Sequence, residues 1–290
     1  MELTNNAGLP QALVDAVTND PYQQSGHISV TGLIQPPRIK QLTTRHRDEI
    51  SIDASDRIWM LLGSNVHEII ERANQKDALQ EERLSMEVLG WKITGATDLY
   101  DNGVITDFKT TSVWSILHGI KRDWEIQLNL YGILWRNAGW PVDGLQIIAI
   151  LRDWSKHQVR KSQDYPKYQV VTLPVELWLP EDAHEYMTER VTLHQEAEGL
   201  KDADLPLCSP EERWEQPTKY AVVKRGNKKA SRVLDTMKEA ETWRADKEGI
   251  QPKGSKPLEI EVRPGVNVRC ESYCDCSNYC SYYHTLKGGE

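Results

Sequence analysis

One stretch constrains this 290-residue chain more than any other: Gly95-Ala-Thr-Asp98-Leu-Tyr-Asp101-Asn-Gly103-Val-Ile-Thr-Asp107-Phe-Lys109-Thr-Thr. Asp101-Asn102-Gly103 is a hairpin signal, because a two-residue turn matched to strand twist needs positive φ, which Asn-Gly tolerates. Residues two apart on a strand share a face, so Asp107 and Lys109 emerge together, opposite Phe108. Asp98, across the turn, can come level with them, and Glu87 on the preceding strand offers a further carboxylate. Gln127-Leu-Asn-Leu-Tyr131 follows, and one helical turn puts Gln127 and Tyr131 on one face. Two acids can hold a Mg²⁺ or Mn²⁺ ion together with water and phosphate oxygens. A lysine beside them can stabilise developing charge or orient a water. Such a group is equipped for phosphodiester hydrolysis.

The flanking sequence predicts a mixed α/β core. His27 to Ile34 alternates in polarity, and a helix is expected from about Ser55 to Ala73 because Ile58, Leu61, Leu62, Ile69 and Ile70 can share a stripe. Strands are expected within Leu84–Lys109, at Leu145–Leu151 and near Tyr168–Leu173, with a helix from Gln127 to Ala138. Pro180 with an acidic first turn opens a helix lasting to about Glu198. The texture then changes. Tyr220–Lys224 and Arg232–Leu234 predict a basic hairpin, Asp235–Trp243 a capped helix, and Leu258–Val268 an extended tail. The expected organisation is an N-terminal extension (1–25), a core (26–200) and a C-terminal hairpin–helix insertion with a cysteine cluster (201–290).

Composition narrows the function classes. With 39% hydrophobic and 27% charged residues the chain is an ordinary globular protein. No apolar run reaches membrane-spanning length and the polar start, Met1-Glu2-Leu3-Thr4, is not that of a secretory signal. The expected location is therefore the cytoplasm of a bacterial or phage-infected host cell, with no membrane partner. A formal charge of −8 argues against tight non-specific nucleic-acid binding by the whole surface. Local basic patches remain at Arg38, Lys40, Arg45, His46 and Arg47, and at Lys224, Arg225, Lys228 and Lys229. The second is a candidate DNA-backbone grip, with a partner-binding module as an equal alternative; a solvated face is the plain alternative for both. Aromatics are lopsided, 10 Trp and 11 Tyr against one Phe, and rings with a polar edge suit both half-buried positions and base stacking.

The pattern Gly95-x-x-Asp98, a turn, Asp107-Phe-Lys109, then Gln127-x-x-x-Tyr131 resembles the PD-(D/E)XK nuclease superfamily, in particular its RecB-like branch. The resemblance spans about Ser29 to Leu151. It includes a histidine on the preceding helix, matched by Gly63-Ser-Asn-Val-His67-Glu. It implies a restriction-endonuclease-like core, with a mixed central sheet flanked by helices. It further implies Asp98, Asp107 and His67 as metal ligands, a backbone carbonyl from Ile105 or a neighbour, and Lys109 as the catalytic lysine. Gln127 and Tyr131 would position the DNA backbone. Glu87 and Glu71 remain alternative sources of a further carboxylate.

All five cysteines fall late: Cys208, Cys270, Cys274, Cys276 and Cys280. With no secretion signal, a disulfide framework is not expected. The spacing lacks the paired C-x2-C knuckles of a zinc ribbon, and thiols so close together can ligate zinc or an iron–sulfur cluster. RecB-like nucleases with clusters use one remote cysteine and a C-terminal trio, whose last gap resembles Cys274-x5-Cys280. That resemblance implies a 4Fe–4S cluster on Cys208, Cys270, Cys274 and Cys280, with Zn²⁺ as the alternative metal and Cys276 as the alternative to Cys208. Cys208 follows the nuclease motifs rather than preceding them, a departure from those relatives. The cluster would tie the tail to the core.

The resemblance implies a metal-dependent DNA exonuclease acting on DNA ends or single strands in recombination, repair or replication. A structure-selective endonuclease and a non-catalytic DNA-binding subunit of a nuclease–helicase assembly are the alternatives. With no G-x-x-x-x-G-K-[ST] loop, any helicase or recombination function belongs to a separate partner.

Overall fold

The computed structural model describes residues 1–18, 27–72, 78–117, 119–252 and 254–288. The expected boundary at residues 25 and 26, Ala73 and the side chain of Glu71 lie outside the described residues. The chain forms two compact units, Met1–Pro206 and Leu207–Glu290.

In the first unit the main elements are β1 (Ile28–Ser29), α1 (Val30–Ile34), α2 (Pro37–Arg45), α3 (Ile58–Arg72), β2 (Leu79–Val88), β3 (Trp91–Asp101), β4 (Val104–Thr111), α4 (Arg122–Asn137), β5 (Gly144–Leu151), β6 (Val170–Val175) and α5 (Pro180–Glu198). The strands form one mixed sheet ordered β2-β3-β4-β5-β6, with β1 beside the first half of β3. β2–β3, β3–β4 and β5–β6 run antiparallel; β4–β5 and β1–β3 run parallel. The fold is α/β with a mixed central sheet flanked by helices, and the cysteines lie near the C-terminal end of the chain.

The Asn102-Gly103 signal is realised: φ is +45° and +82° at these residues, and β3 and β4 pair on either side. The alternation at His27–Ile34 is cut short. Only Ile28 and Ser29 are extended, because the Ser29 hydroxyl accepts a hydrogen bond from Gly32 N and caps α1. Helix α4 is apolar nearly all round and buried from Leu128 to Trp135, as a helix must be when covered on several sides. Trp135 stacks on Tyr100 at 4.0 Å, and its indole N–H donates to Thr97 Oγ1. Gly95 sets how closely α4 approaches. A Cβ there would stand 2.7 Å from Tyr131 Cε1 and 2.9 Å from Leu134 Cδ1.

Helix α5 starts at Pro180, where the missing N–H is harmless, with Glu181 and Asp182 in its first turn. One turn apart on it, Arg190 and His194 gather the carbonyls at the end of α1. Arg190 donates to Leu33 O and Gln35 O, and His194 Nε2 lies 3.1 Å from the same two oxygens. Burial pushes the His194 pKa down to about 4, against the help of those carbonyls.

Part of the first basic patch is used internally. Arg38 is buried and donates to Leu205 O, Arg45 pairs with Asp202 and with carbonyls at the end of α5, and His46 also pairs with Asp202. These side chains anchor the α2–α5 region instead of forming an open cationic face.

The second unit carries β7 (Lys219–Lys224), β8 (Ala230–Leu234), α6 (Met237–Ile250) and β9 (Leu258–Arg263). The strands form an antiparallel sheet ordered β8-β7-β9. Helix α6 begins with a capping box between Thr236 and Glu239, so the cap is Thr236 and not Asp235. It packs Ala240 and Trp243 against Val222 and Leu258.

Candidate active site

The site is built where β3 and β4 part. Their ladder runs from Asp101↔Val104 to Leu99↔Thr106, and the next residues on the two strands are Asp98 and Asp107. There the Asp98 carboxylate takes over from the backbone: its Oδ2 accepts a 2.7 Å hydrogen bond from Phe108 N. Oδ1 faces α3, where His67 Nδ1 lies 3.3 Å away. Hydrogen bonding to Asp98 raises the His67 pKa, over the opposing effect of burial.

A third carboxylate joins from the other side. In the β2–β3 ladder, Gln80↔Leu99 and Glu82↔Thr97 place Glu81 across from Asp98. Glu81 has φ +49°, an uncommon conformation for a residue with a Cβ. One ligand atom each from His67, Glu81 and Asp98 lie within 4.8 Å of one another. The sequence offered Glu87 or Glu71 instead; the Glu71 side chain lies outside the described residues, and Glu87 pairs with Lys92 far along the same strand. Six residues at about 3.4 Å each put it roughly 20 Å from Glu81. Glu87 has the right face parity and the wrong position.

Asp107 is 4% exposed. Its Oδ1 accepts from Lys109 Nζ at 3.0 Å, and Oδ2 lies 2.8 Å from the same ammonium. Burial raises its pKa to about 6, although Lys109 works in the opposite direction. Lys109 Nζ also donates to Gln127 Oε1 at 3.3 Å, and Gln127 Nε2 donates to Tyr131 OH at 3.0 Å. A continuous polar chain thus runs from Asp107 through Lys109 and Gln127 to Tyr131. Ile105 is fully buried within β4, paired with Tyr100 on one side and Leu145 on the other. Its side chain belongs to the core.

The donor set fits a divalent cation. Asp107 is buried with the Lys109 ammonium 2.8 Å from its Oδ2, and Glu81, Asp98 and His67 add two carboxylates and an imidazole nitrogen, so three carboxylates gather around one ammonium, an excess of negative charge that a cation offsets. Oxygen-rich sets suit Mg²⁺ and Mn²⁺, and the imidazole tilts the preference toward Mn²⁺.

Other predicted residues lie in the second unit. Lys224, Arg225, Lys228 and Lys229 are exposed around the β7–β8 turn, and Arg225 pairs with Glu259 on β9. Cys208 lies within electrostatic reach of Cys274 and Cys280, as does Cys270. Burial pushes the Cys208 thiol up to about 12, whereas a hydrogen bond from Cys276 lowers Cys274 to about 7. Cys274 Sγ and Cys276 Sγ are 3.5 Å apart. Arg213 donates to Cys208 O, and the charge of Arg269 favours the thiolate forms of Cys208, Cys270 and Cys274.

The chain matches no family model and no curated protein. Among solved structures it is similar to one described as SSO0001, at 16% identity and a TM-score of 0.45, covering 64% of this chain and 86% of that one. A second, named "Putative exonuclease" and from Eubacterium rectale, is 14% identical with a TM-score of 0.32, covering 53% of this chain and 59% of that one. Among the described residues, no helix is long and apolar enough to cross a membrane.

Proposed function

We propose that this protein is a divalent-metal-dependent deoxyribonuclease of the PD-(D/E)XK superfamily, RecB-like branch, working as an exonuclease on DNA ends or single strands in recombination, repair or replication. The observation that carries the reading is the convergence of Asp98, Asp107 and Lys109 at one break in the β3–β4 ladder, with His67 and Gln127 in contact with them. Asp98, Asp107, Glu81 and His67 would hold Mg²⁺ or Mn²⁺. A bound cation supplies positive charge to the scissile phosphate and acidifies a water.

The chain's own residues account for the remaining roles. Lys109 places an ammonium beside the reacting phosphate, where it stabilises charge developing on oxygen or orients the attacking water. Asp107 fixes that ammonium from one side and Gln127 from the other, so it is positioned before substrate arrives. Tyr131 in turn fixes the Gln127 amide. With no nucleotide-binding loop in the sequence, opening of duplex DNA would fall to a separate helicase or recombination partner.

The cysteines would hold a structural 4Fe–4S cluster on Cys208, Cys270, Cys274 and Cys280. The electrostatic reach of Cys208 and of Cys270 to Cys274 and Cys280, with Arg269 beside them, supports it.

The test is incubation of purified protein with linear and closed circular DNA in Mn²⁺ or Mg²⁺. Release of nucleotides from linear DNA with circles spared, lost in Lys109→Ala, is the expected result. Nicking of circles would assign an endonuclease instead. DNA binding without metal-dependent cleavage would overturn the catalytic reading. Anaerobically purified protein is expected to be brown and to bleach on cluster removal; a colourless, zinc-loaded protein would exchange the cluster for zinc.

A further inference from the structure

Trp59, the second residue of α3, is 63% exposed. The Arg152 guanidinium lies over its ring, 4.4 Å from the centroid. Arg152 directly follows β5, and its N–H donates to Thr111 O at the end of β4. Since β4 and β5 are parallel, Arg152 stands at the end of the sheet toward which Lys109 lies. Trp59 precedes His67 by eight residues on one helix, about 12 Å at 1.5 Å per residue. Two strand spacings, from β3 to β5, come to roughly 10 Å. Helix α3 therefore crosses from Asp98 on β3 to the end of β5, carrying His67 at one end and Trp59 at the other.

A second cation, Lys121, lies near Arg152 and stands over the Trp124 ring, 4.9 Å from its centroid. Lys121 occupies the N-cap position of α4, without a side-chain cap bond, six residues before Gln127, and Arg152 is near enough for its like charge to add to burial in lowering the Lys121 pKa, with Asp123 opposing. Trp114, 69% exposed, follows β4 by three residues. A cation–π pair serving only to brace α3 would cover the indole; here most of it stays accessible. Flanking cations beside an open indole match a polyanion that carries flat rings.

We propose that Trp59, Arg152 and Lys121 form a seat for an unpaired nucleotide beside the cleavage site, the base stacking on the indole and the two cations facing its phosphates, so that the substrate is a single strand. A base inside a duplex has both faces covered by its neighbours, and only an unpaired strand can offer one to a protein aromatic. The seat rests on the nuclease reading above for its place beside a reacting phosphate.

The experiment uses the full chain carrying Lys109→Ala, in EDTA, with binding read by fluorescence anisotropy. The probes are a labelled oligo-dT, an abasic oligomer of the same length and a blunt duplex. Oligo-dT is expected to bind more tightly than either of the others. Trp59→Ala should weaken oligo-dT binding on the order of ten-fold, as the loss of one stacked base does, and leave the abasic oligomer unchanged. Trp59→Phe should retain most of the affinity. Lys121→Gln and Arg152→Gln should weaken binding of both single strands and flatten the salt dependence by about 0.7 in log–log slope for each phosphate no longer neutralised. The proposal is overturned if Trp59→Ala binds oligo-dT like its parent, if it loses oligo-dT and abasic strand equally, or if the duplex binds as tightly with the same dependence on Trp59. Wild-type protein that fails to cleave while the binding pattern holds would remove the nuclease reading and leave the seat standing. Cleavage with Trp59-independent binding would remove the seat alone.

Discussion

Replacing Gly95 by alanine tests whether β3 holds α4 at contact distance. The added methyl would lie 2.7 Å from Tyr131 Cε1 and 2.9 Å from both Tyr131 Cδ1 and Leu134 Cδ1. Tyr131 and Leu134 are both buried in the main core, so neither can swing into solvent. Overpacking a filled core typically costs about 1–3 kcal/mol. Gly95 is not among the glycines with positive φ, so alanine regains roughly 0.5–1 kcal/mol of backbone entropy. The net expectation is a loss of about 1–2 kcal/mol, or roughly 3–6 °C in melting temperature for a unit of this size. Thermal denaturation of both proteins reads it directly. The displaced Tyr131 ring also drags the Gln127 amide away from Lys109, so DNA cleavage should fall by more than stability alone explains. The double variant Gly95→Ala/Tyr131→Ala should be less destabilised than the sum of the two singles, since the methyl fills space the ring vacates. Unchanged or raised stability in Gly95→Ala, or strict additivity in the double variant, would refute close packing at this position.

Glu81→Gln should weaken Mn²⁺ binding by ten-fold or more in calorimetry with little change in apo stability, since the side chain is exposed; unaltered affinity would remove Glu81 from the ligand set. Metal affinity should also fall as pH drops through about 6, because the buried Asp107 carboxyl must lose its proton to ligate; a pH-independent affinity between 7 and 5 would contradict this. His194 supplies a stability signature of opposite origin. Its folded pKa, about 4, lies below the unfolded value of 6.5, so the unfolded chain binds the proton first. No penalty exists above pH 6.5, and stability is lost progressively as pH falls from 6.5 toward 4. His194→Gln should show a shallower decline over that window in denaturant titrations, and an identical slope would rule the histidine out.

Much of the site could be read from residue spacing, and the reason is local geometry. The Asn102-Gly103 turn fixes which residues of β3 and β4 face each other, and helix periodicity places Gln127 and Tyr131 together. These rules act over a few residues and do not depend on the rest of the fold. Glu81 escapes such reading because Glu81 and Glu87 share a parity on β2. Only the β2–β3 register, set when Leu79 meets Tyr100 and Val88 meets Trp91, says which of them stands across from Asp98. The basic residues at 38–46 illustrate the same limit. Their charge is visible in the sequence, but the carbonyls and Asp202 that use it are about 150 residues away along the chain.

By itself the sequence determined the alternation that makes β3 and β4, the turn between them, the helix that follows and the types of side chain available for chemistry. All of these come from steric and periodic preferences expressed within one or two turns of chain. Tertiary structure decided that His67 reaches Asp98 from a separate helix, that Glu81 and not Glu87 joins it, and that Asp107 is buried against the Lys109 ammonium. It also placed Arg152 over Trp59. Those outcomes depend on which distant segments meet and how much water they exclude, and no local preference encodes either.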